Sequence, residues 1–122
     1  MIPITPQSRY DALVKLREGK IGREIFSDRE IYEEELERVF TRAWLFVGHE
    51  SQVPNPGDFF TSRMGAESVI LARDKKQKVH VFLNSCRHRG MKVCKYDHGN
   101  TQLFTCPYHS WSYTTDGKLF GV

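Results

Sequence analysis

Cys86-Arg-His88, then residues 89–105, then Cys106-Pro-Tyr-His109 is the stretch whose reading decides the fold. Two thiolates and two imidazoles arrive as two short claws, each with one soft sulfur and one nitrogen. A 2Fe–2S centre of mixed ligation uses that inventory, with two Cys on one iron and two His replacing Cys on the other. Structural zinc is the rival, because two Cys and two His also satisfy a tetrahedral ion. Zinc claws, however, usually keep Cys with Cys and His with His, as C-x₂₋₄-C followed by H-x₃₋₅-H. Here each claw mixes the ligand types, so each can reach across both irons of a cluster. The pattern therefore favours the iron–sulfur cluster over zinc, and both over four unliganded core residues.

The words around these residues carry a resemblance. Cys86-Arg-His-Arg-Gly90 and Cys106-Pro-Tyr-His-Ser-Trp111 resemble the two cluster-binding loops of aromatic-ring-hydroxylating dioxygenase α subunits, which belong to the Rieske superfamily. The likeness extends to Gly22-Arg-Glu-Ile-Phe-Ser27, Trp44-Leu-Phe-Val-Gly-His49, Pro54-Asn-Pro-Gly-Asp58 and Asn84-Ser-Cys86, and so covers nearly the whole chain. One departure is Ser110, where the family's loop more often has glycine, and the change bears on loop backbone geometry. The resemblance implies a Rieske-type antiparallel β-sandwich, with the cluster held by two hairpin loops and an N-terminal helical arm in front. It implies Cys86, His88, Cys106 and His109 as ligands of a [2Fe–2S] cluster. Residues 1–42 would be the arm and residues 43–122 the Rieske domain.

A complete α subunit is several times longer than these 122 residues. In the family its C-terminal domain holds a mononuclear Fe(II) through two His and a carboxylate. No such triad is visible here: His49, His80 and His98 are far apart and form no His-x₃₋₅-His pair. The expectation is a fragment of a larger polypeptide with the end of its Rieske sheet missing, an unpaired edge and no catalytic residues of its own.

No run of about 18 apolar residues predicts a membrane span, and Met1-Ile-Pro-Ile-Thr-Pro6 lacks a signal-peptide layout. The net charge of +3 is mild. Arg87, Arg89, Lys92 and Lys95 lie near the claws without any nucleic-acid-binding motif, so they read as a solvated face or as a basic rim that steers an acidic electron donor. Cys94 is left without an obvious partner, since Tyr108 stands where the respiratory relatives carry a second disulfide Cys. It reads as a small buried hydrophobe in a reduced, cytoplasmic protein.

Local pattern places the claws. A short helix is expected over Asp11–Arg17, and a second over Asp28–Thr41, opened by a capping box at Ser27 and Glu30. After that the period changes from 3.6 to 2. Strands are expected over Trp44–Gly48, Asp58–Arg63, Ser68–Arg73, Val79–Leu83, Thr101–Thr105, Trp111–Thr115 and Lys118–Phe120. Asp74-Lys-Lys-Gln77 reads as a four-residue hairpin connection, Pro54–Gly57 as a turn and Asp116-Gly117 as a type I′ turn. Gly90 and Gly99 suit positive φ or close backbone approach.

The respiratory relatives raise their potential with a serine two residues past the second His. Trp111 stands there instead, which predicts shielding by packing and a potential at the low end of the Rieske range. The resemblance implies electrons from a ferredoxin or reductase, delivery to mononuclear Fe(II), dihydroxylation of an aromatic substrate by O₂, and assembly with other α and β subunits. A stand-alone Rieske ferredoxin and a zinc-stabilised module are the alternatives.

Overall fold

The structure, a computed structural model, describes residues 9–122. The first eight residues of the expected arm lie outside that range. Contacts divide the chain into two units, one ending at Ala43 and the other running from Trp44 to Val122.

The first unit is helical but more broken than its periodicity suggests. The expected Asp11–Arg17 helix is shorter and earlier, α1 at Arg9–Leu13. A minimal antiparallel ribbon follows, β1 (Val14–Lys15) with β2 (Lys20–Ile21), turning at Gly19 with φ 63°. The ribbon wins because Gly19 supplies the left-handed residue that a tight reversal needs. The second expected helix opens one residue later than its capping box implies. Ser27 belongs to a preceding turn, α2 (Glu24–Ser27), and its hydroxyl bonds the Arg23 carbonyl. Asp28, in extended backbone, is the cap of α3 (Arg29–Glu35), accepting the Ile31 N–H at 3.0 Å. Leu36–Phe40 then widens into a π-helical turn. The Thr41 hydroxyl takes the Glu37 carbonyl and its N–H reaches Leu36 instead, a side chain displacing one backbone bond of the ladder.

The second unit is a pair of small antiparallel sheets. β3 (Asp58–Met64), β4 (Glu67–Arg73), β5 (Val79–Leu83) and β6 (His98–Asn100) form one, in the order β5-β4-β3-β6. β7 (Leu103–Thr105), β8 (Ser112–Thr114) and β9 (Leu119–Gly121) form the other. Val69, Ile70, Leu71 and Ala72 of β4 are buried in succession. Alternation sends neighbours to opposite faces, so both sides of this strand are covered. The core gathers Phe59, Ile70 and Ala72 from the larger sheet with Phe104 and Tyr113 from the smaller. Phe104 meets Phe59 and Phe82 edge to face at 5.2 and 5.8 Å. This is the expected antiparallel β-sandwich.

Three details depart from expectation. Trp44–Gly48 is not a strand: Trp44 is fully exposed and the segment has no ladder partner among the described residues. Gly48 instead lies so close to Phe60 that a Cβ would come within 2.1 Å of its ring. β6 has no strand-like composition, yet it pairs with β3 because Gly99 lets the Phe59 ring lie against it, 3.1 Å from where a Cβ would be. The β4–β5 and β8–β9 hairpins close with a three-residue loop ending in a left-handed residue, not with the connections read from sequence. In one, Asp74 N–H bonds Lys78 O at 2.9 Å and Gln77 has φ 68°. In the other, Thr114 N–H bonds Lys118 O at 2.9 Å and Gly117 has φ 82°.

Candidate iron–sulfur centre

Both claws sit on loops leaving these sheets, the first after β5 and the second between β7 and β8. The two loops share one backbone design. Cys86 N–H bonds Met91 O and Cys106 N–H bonds Trp111 O, both at 2.8 Å. Gly90 N–H and Ser110 N–H return to the Cys86 and Cys106 carbonyls at 2.8 and 3.0 Å. Closure needs a left-handed residue four positions after each Cys. Gly90 provides it at φ 71° and Ser110 at φ 64°, so the position where the resemblance leads one to expect glycine is one where glycine relieves strain.

Sequence reading missed the residue that shapes the first loop. Asn84 is buried, and its Oδ1 accepts the N–H groups of Val93 and Cys94 at 3.0 and 2.8 Å while its Nδ2 donates to the Cys94 carbonyl at 2.7 Å. It ties the loop's two ends together. Only the resemblance around Asn84-Ser-Cys86 marked it; nothing in local pattern did.

The loops bring all four candidate ligands to one place with unequal exposure. Cys86 and Cys106 are 3 % and 2 % exposed, while His88 and His109 face solvent. The imidazoles meet edge to face with centroids 4.7 Å apart. Trp111 stacks on His88 at 4.9 Å, and Tyr108 leans on His109 at 3.9 Å.

The electrostatics favour sulfur as an anion. Burial pushes the Cys86 thiol up, but hydrogen bonds outweigh it and hold the thiol below its ordinary value. They come from the Tyr113 hydroxyl, the His88 N–H, the Cys106 thiol and the Arg89 N–H. Tyr113 Oη lies 3.3 Å from Cys86 Sγ and accepts the Arg87 N–H at 3.0 Å, which leaves its own proton for the sulfur. Partial desolvation, then the neighbouring His109 and Arg89, lower the His88 pKa from its ordinary value, which favours the neutral ring that can ligate a metal. Cys94, also free and buried, has its thiol pushed up by burial and reaches only the Tyr96 carbonyl, which suits a packing role. Paired buried sulfurs and paired exposed imidazoles fit a 2Fe–2S cluster of mixed ligation, which two Cys and two His would hold.

Comparison with known proteins agrees with this reading. The Rieske [2Fe–2S] domain family matches residues 43–122, and the chain belongs to that family. It is 50 % identical over 110 residues to the biphenyl 2,3-dioxygenase α subunit of Rhodococcus jostii, covering 90 % of this chain and 24 % of that protein. It is 48 % identical over 115 residues to a benzene 1,2-dioxygenase α subunit of Pseudomonas putida, covering 94 % and 26 %. Naphthalene 1,2-dioxygenase from Rhodococcus superposes with a TM-score of 0.78 at 42 % identity, over 84 % of this chain and 23 % of that one. The chain thus spans about a quarter of the length of the curated relatives it matches.

Proposed function

We propose that Cys86 and Cys106 hold the inner iron and His88 and His109 the outer iron of the Rieske cluster. Residues 1–42 then serve as an arm and residues 43–122 as the electron-relay domain of a ring-hydroxylating oxygenase α subunit. The single observation behind the assignment is the pairing of buried, hydrogen-bonded sulfurs with two exposed imidazoles on loops of one backbone design. A bound cluster supplies one-electron chemistry. The chain's own residues supply the rest: backbone N–H groups and Tyr113 stabilise the sulfurs, and the imidazole edges give an exit to solvent. The relatives' names point to an aromatic hydrocarbon as the substrate of the whole protein, dihydroxylated at a mononuclear iron outside these residues. The immediate donor is a ferredoxin or reductase. Arg87, Arg89, Lys92 and Lys95 are all exposed, and neither 85–96 nor 106–111 contains an acidic residue, so the tip suits an acidic donor surface. The relatives' α-subunit names support assembly with further subunits, proposed to be other α and β chains, in the cytoplasm; among the described residues no helix is long and apolar enough to cross a membrane.

Purified protein is expected to be red-brown, with about two irons and two labile sulfides per chain. Cys86→Ser and Cys106→Ser should abolish the cluster, since an alkoxide replaces thiolate poorly, while Cys94→Ser should leave the absorption spectrum unchanged. A colourless chain with stoichiometric zinc would overturn the assignment.

A further inference from the structure

Trp111 stands outside the donor set, yet its indole lies parallel to the His88 ring, with 9° between planes and 4.9 Å between centroids. The two residues belong to different loops. Trp111 closes the second, where its carbonyl accepts the Cys106 N–H at 2.8 Å. Two positions on, Tyr113 also crosses to the first loop, at Cys86 Sγ and the Arg87 N–H. Trp111 is half-buried and packs against the core, whereas His88 is exposed. A flat apolar ring anchored in the core therefore covers one face of an imidazole that would otherwise be wet.

We propose that Trp111 is a positioning residue for His88: it sets the plane of the imidazole for its iron and keeps water off one face. The inference rests on the cluster assignment above. Two consequences follow. An imidazole free to rotate loses more entropy on ligation than one already stacked, so removing the indole should speed loss of iron. A reduced cluster carries one more negative charge than an oxidised one, and water stabilises that charge. Opening the face should therefore raise the reduction potential.

The test uses the full cluster-loaded chain as wild type, Trp111→Phe and Trp111→Leu. Bleaching of the cluster absorbance by an iron chelator is followed in time, and the potential is measured by redox titration. In Trp111→Leu the bleaching rate should rise about three- to tenfold, the size of effect an aromatic pair carries, and the potential should rise with it. Trp111→Phe, which keeps a flat ring, should stay close to wild type in both. Trp111→Leu matching wild type in either measurement overturns the proposal, and so does Trp111→Phe behaving like Trp111→Leu. Should Trp111→Leu fail to fold by circular dichroism, Trp111→Met takes its place with the same expectations. If both fail while Trp111→Phe folds, Trp111 is a core residue only and the proposal falls. A wild-type chain that binds no iron removes the cluster assignment itself, and this inference with it.

Discussion

Ser110, where the resemblance leads one to expect glycine, is a residue whose backbone is strained. Its φ of 64° copies that of Gly90 in the other claw, and a side chain there costs about 1–2 kcal/mol through its Cβ. Glycine recovers most of this but loses about 0.5–1 kcal/mol of chain entropy. Ser110→Gly is therefore expected to stabilise the protein by about 0.5–1 kcal/mol in denaturant unfolding. Gly90→Ala provides the converse measurement, because a Cβ there would meet only Ser85 Oγ at 3.9 Å and the cost is conformational alone. It should destabilise by a similar amount; a neutral Gly90→Ala would remove the strain argument from both loops. Tyr113 is a different case, one that bears on the potential expected from sequence. Trp111 in place of the serine predicts a low potential, while the Tyr113 hydroxyl reaches Cys86 Sγ at 3.3 Å and acts in the opposite direction. A donor to a ligand sulfur stabilises the more negative, reduced cluster. Tyr113→Phe should thus lower the potential by about 20–60 mV, a net hydrogen bond of about 0.5–1.5 kcal/mol read by a one-electron couple. An unchanged potential in the redox titration would show that the hydroxyl does not donate to that sulfur.

The elements that support the site are held at their turns as much as along their strands. Asp74 closes the β4–β5 hairpin, accepting the Lys76 and Lys78 N–H groups at 2.7 and 2.9 Å and His80 Nε2 at 2.8 Å. The His80 bond, followed by the Lys78 N–H, holds the Asp74 carboxyl below its ordinary value. A carboxylate depressed in the folded state adds stability that is complete above the unfolded value, about 3.9, and is lost as pH falls through the folded one. Asp74→Ala should therefore melt lower than wild type at pH 7, and the gap should close as the pH drops below about 4. A gap that stays constant with pH would assign the loss to packing and not to charge. These turns also mark what could be read from the chain. β3, β4 and β5 were legible because β-branched and aromatic residues are concentrated in them, and in β4 burial on both faces rewards the unbroken apolar run 69–72. β6 was not, since His98-Gly-Asn100 becomes a strand only through its pairing with Phe59 and its neighbours. Trp44–Gly48 failed in the opposite direction, aromatic enough for a strand but with Trp44 and Phe46 exposed. Asp116-Gly117 looks like a type I′ turn, yet only Gly117 of the pair takes positive φ. At the centre, the four proposed donors stand out in the sequence because their residue types are the chemistry. Asn84 and Tyr113 support them through contacts that no local window contains.

On the scale of the molecule, the proposed relay is distinct from the reaction it would serve. The four proposed ligands converge at one end of the two-sheet unit, and the histidines outside that set do not converge anywhere else. His49 caps a short 3₁₀ turn with its Nδ1 on Ser51, His80 is bonded to Asp74 on β5, and His98 lies on β6. Among the described residues, no three His, Cys, Asp or Glu side chains are grouped as a single-ion site. A mononuclear iron that activates O₂ needs two His and a carboxylate on one face of the ion, with positions left open. The expectation is that this 122-residue chain accepts one electron per cluster from a competent donor. It should nonetheless oxidise no aromatic hydrocarbon when Fe(II), O₂ and the donor are all supplied. Anaerobic titration with a one-electron reductant, followed by product analysis in air, checks both halves. Reduction without product is the predicted result, and product should appear only when the chain is part of a polypeptide that supplies the facial triad. Oxygen-dependent product from the chain alone would place an iron site among His49, His80, His98 and their neighbouring carboxylates. In that case the unit would be an oxygenase in itself and not a relay.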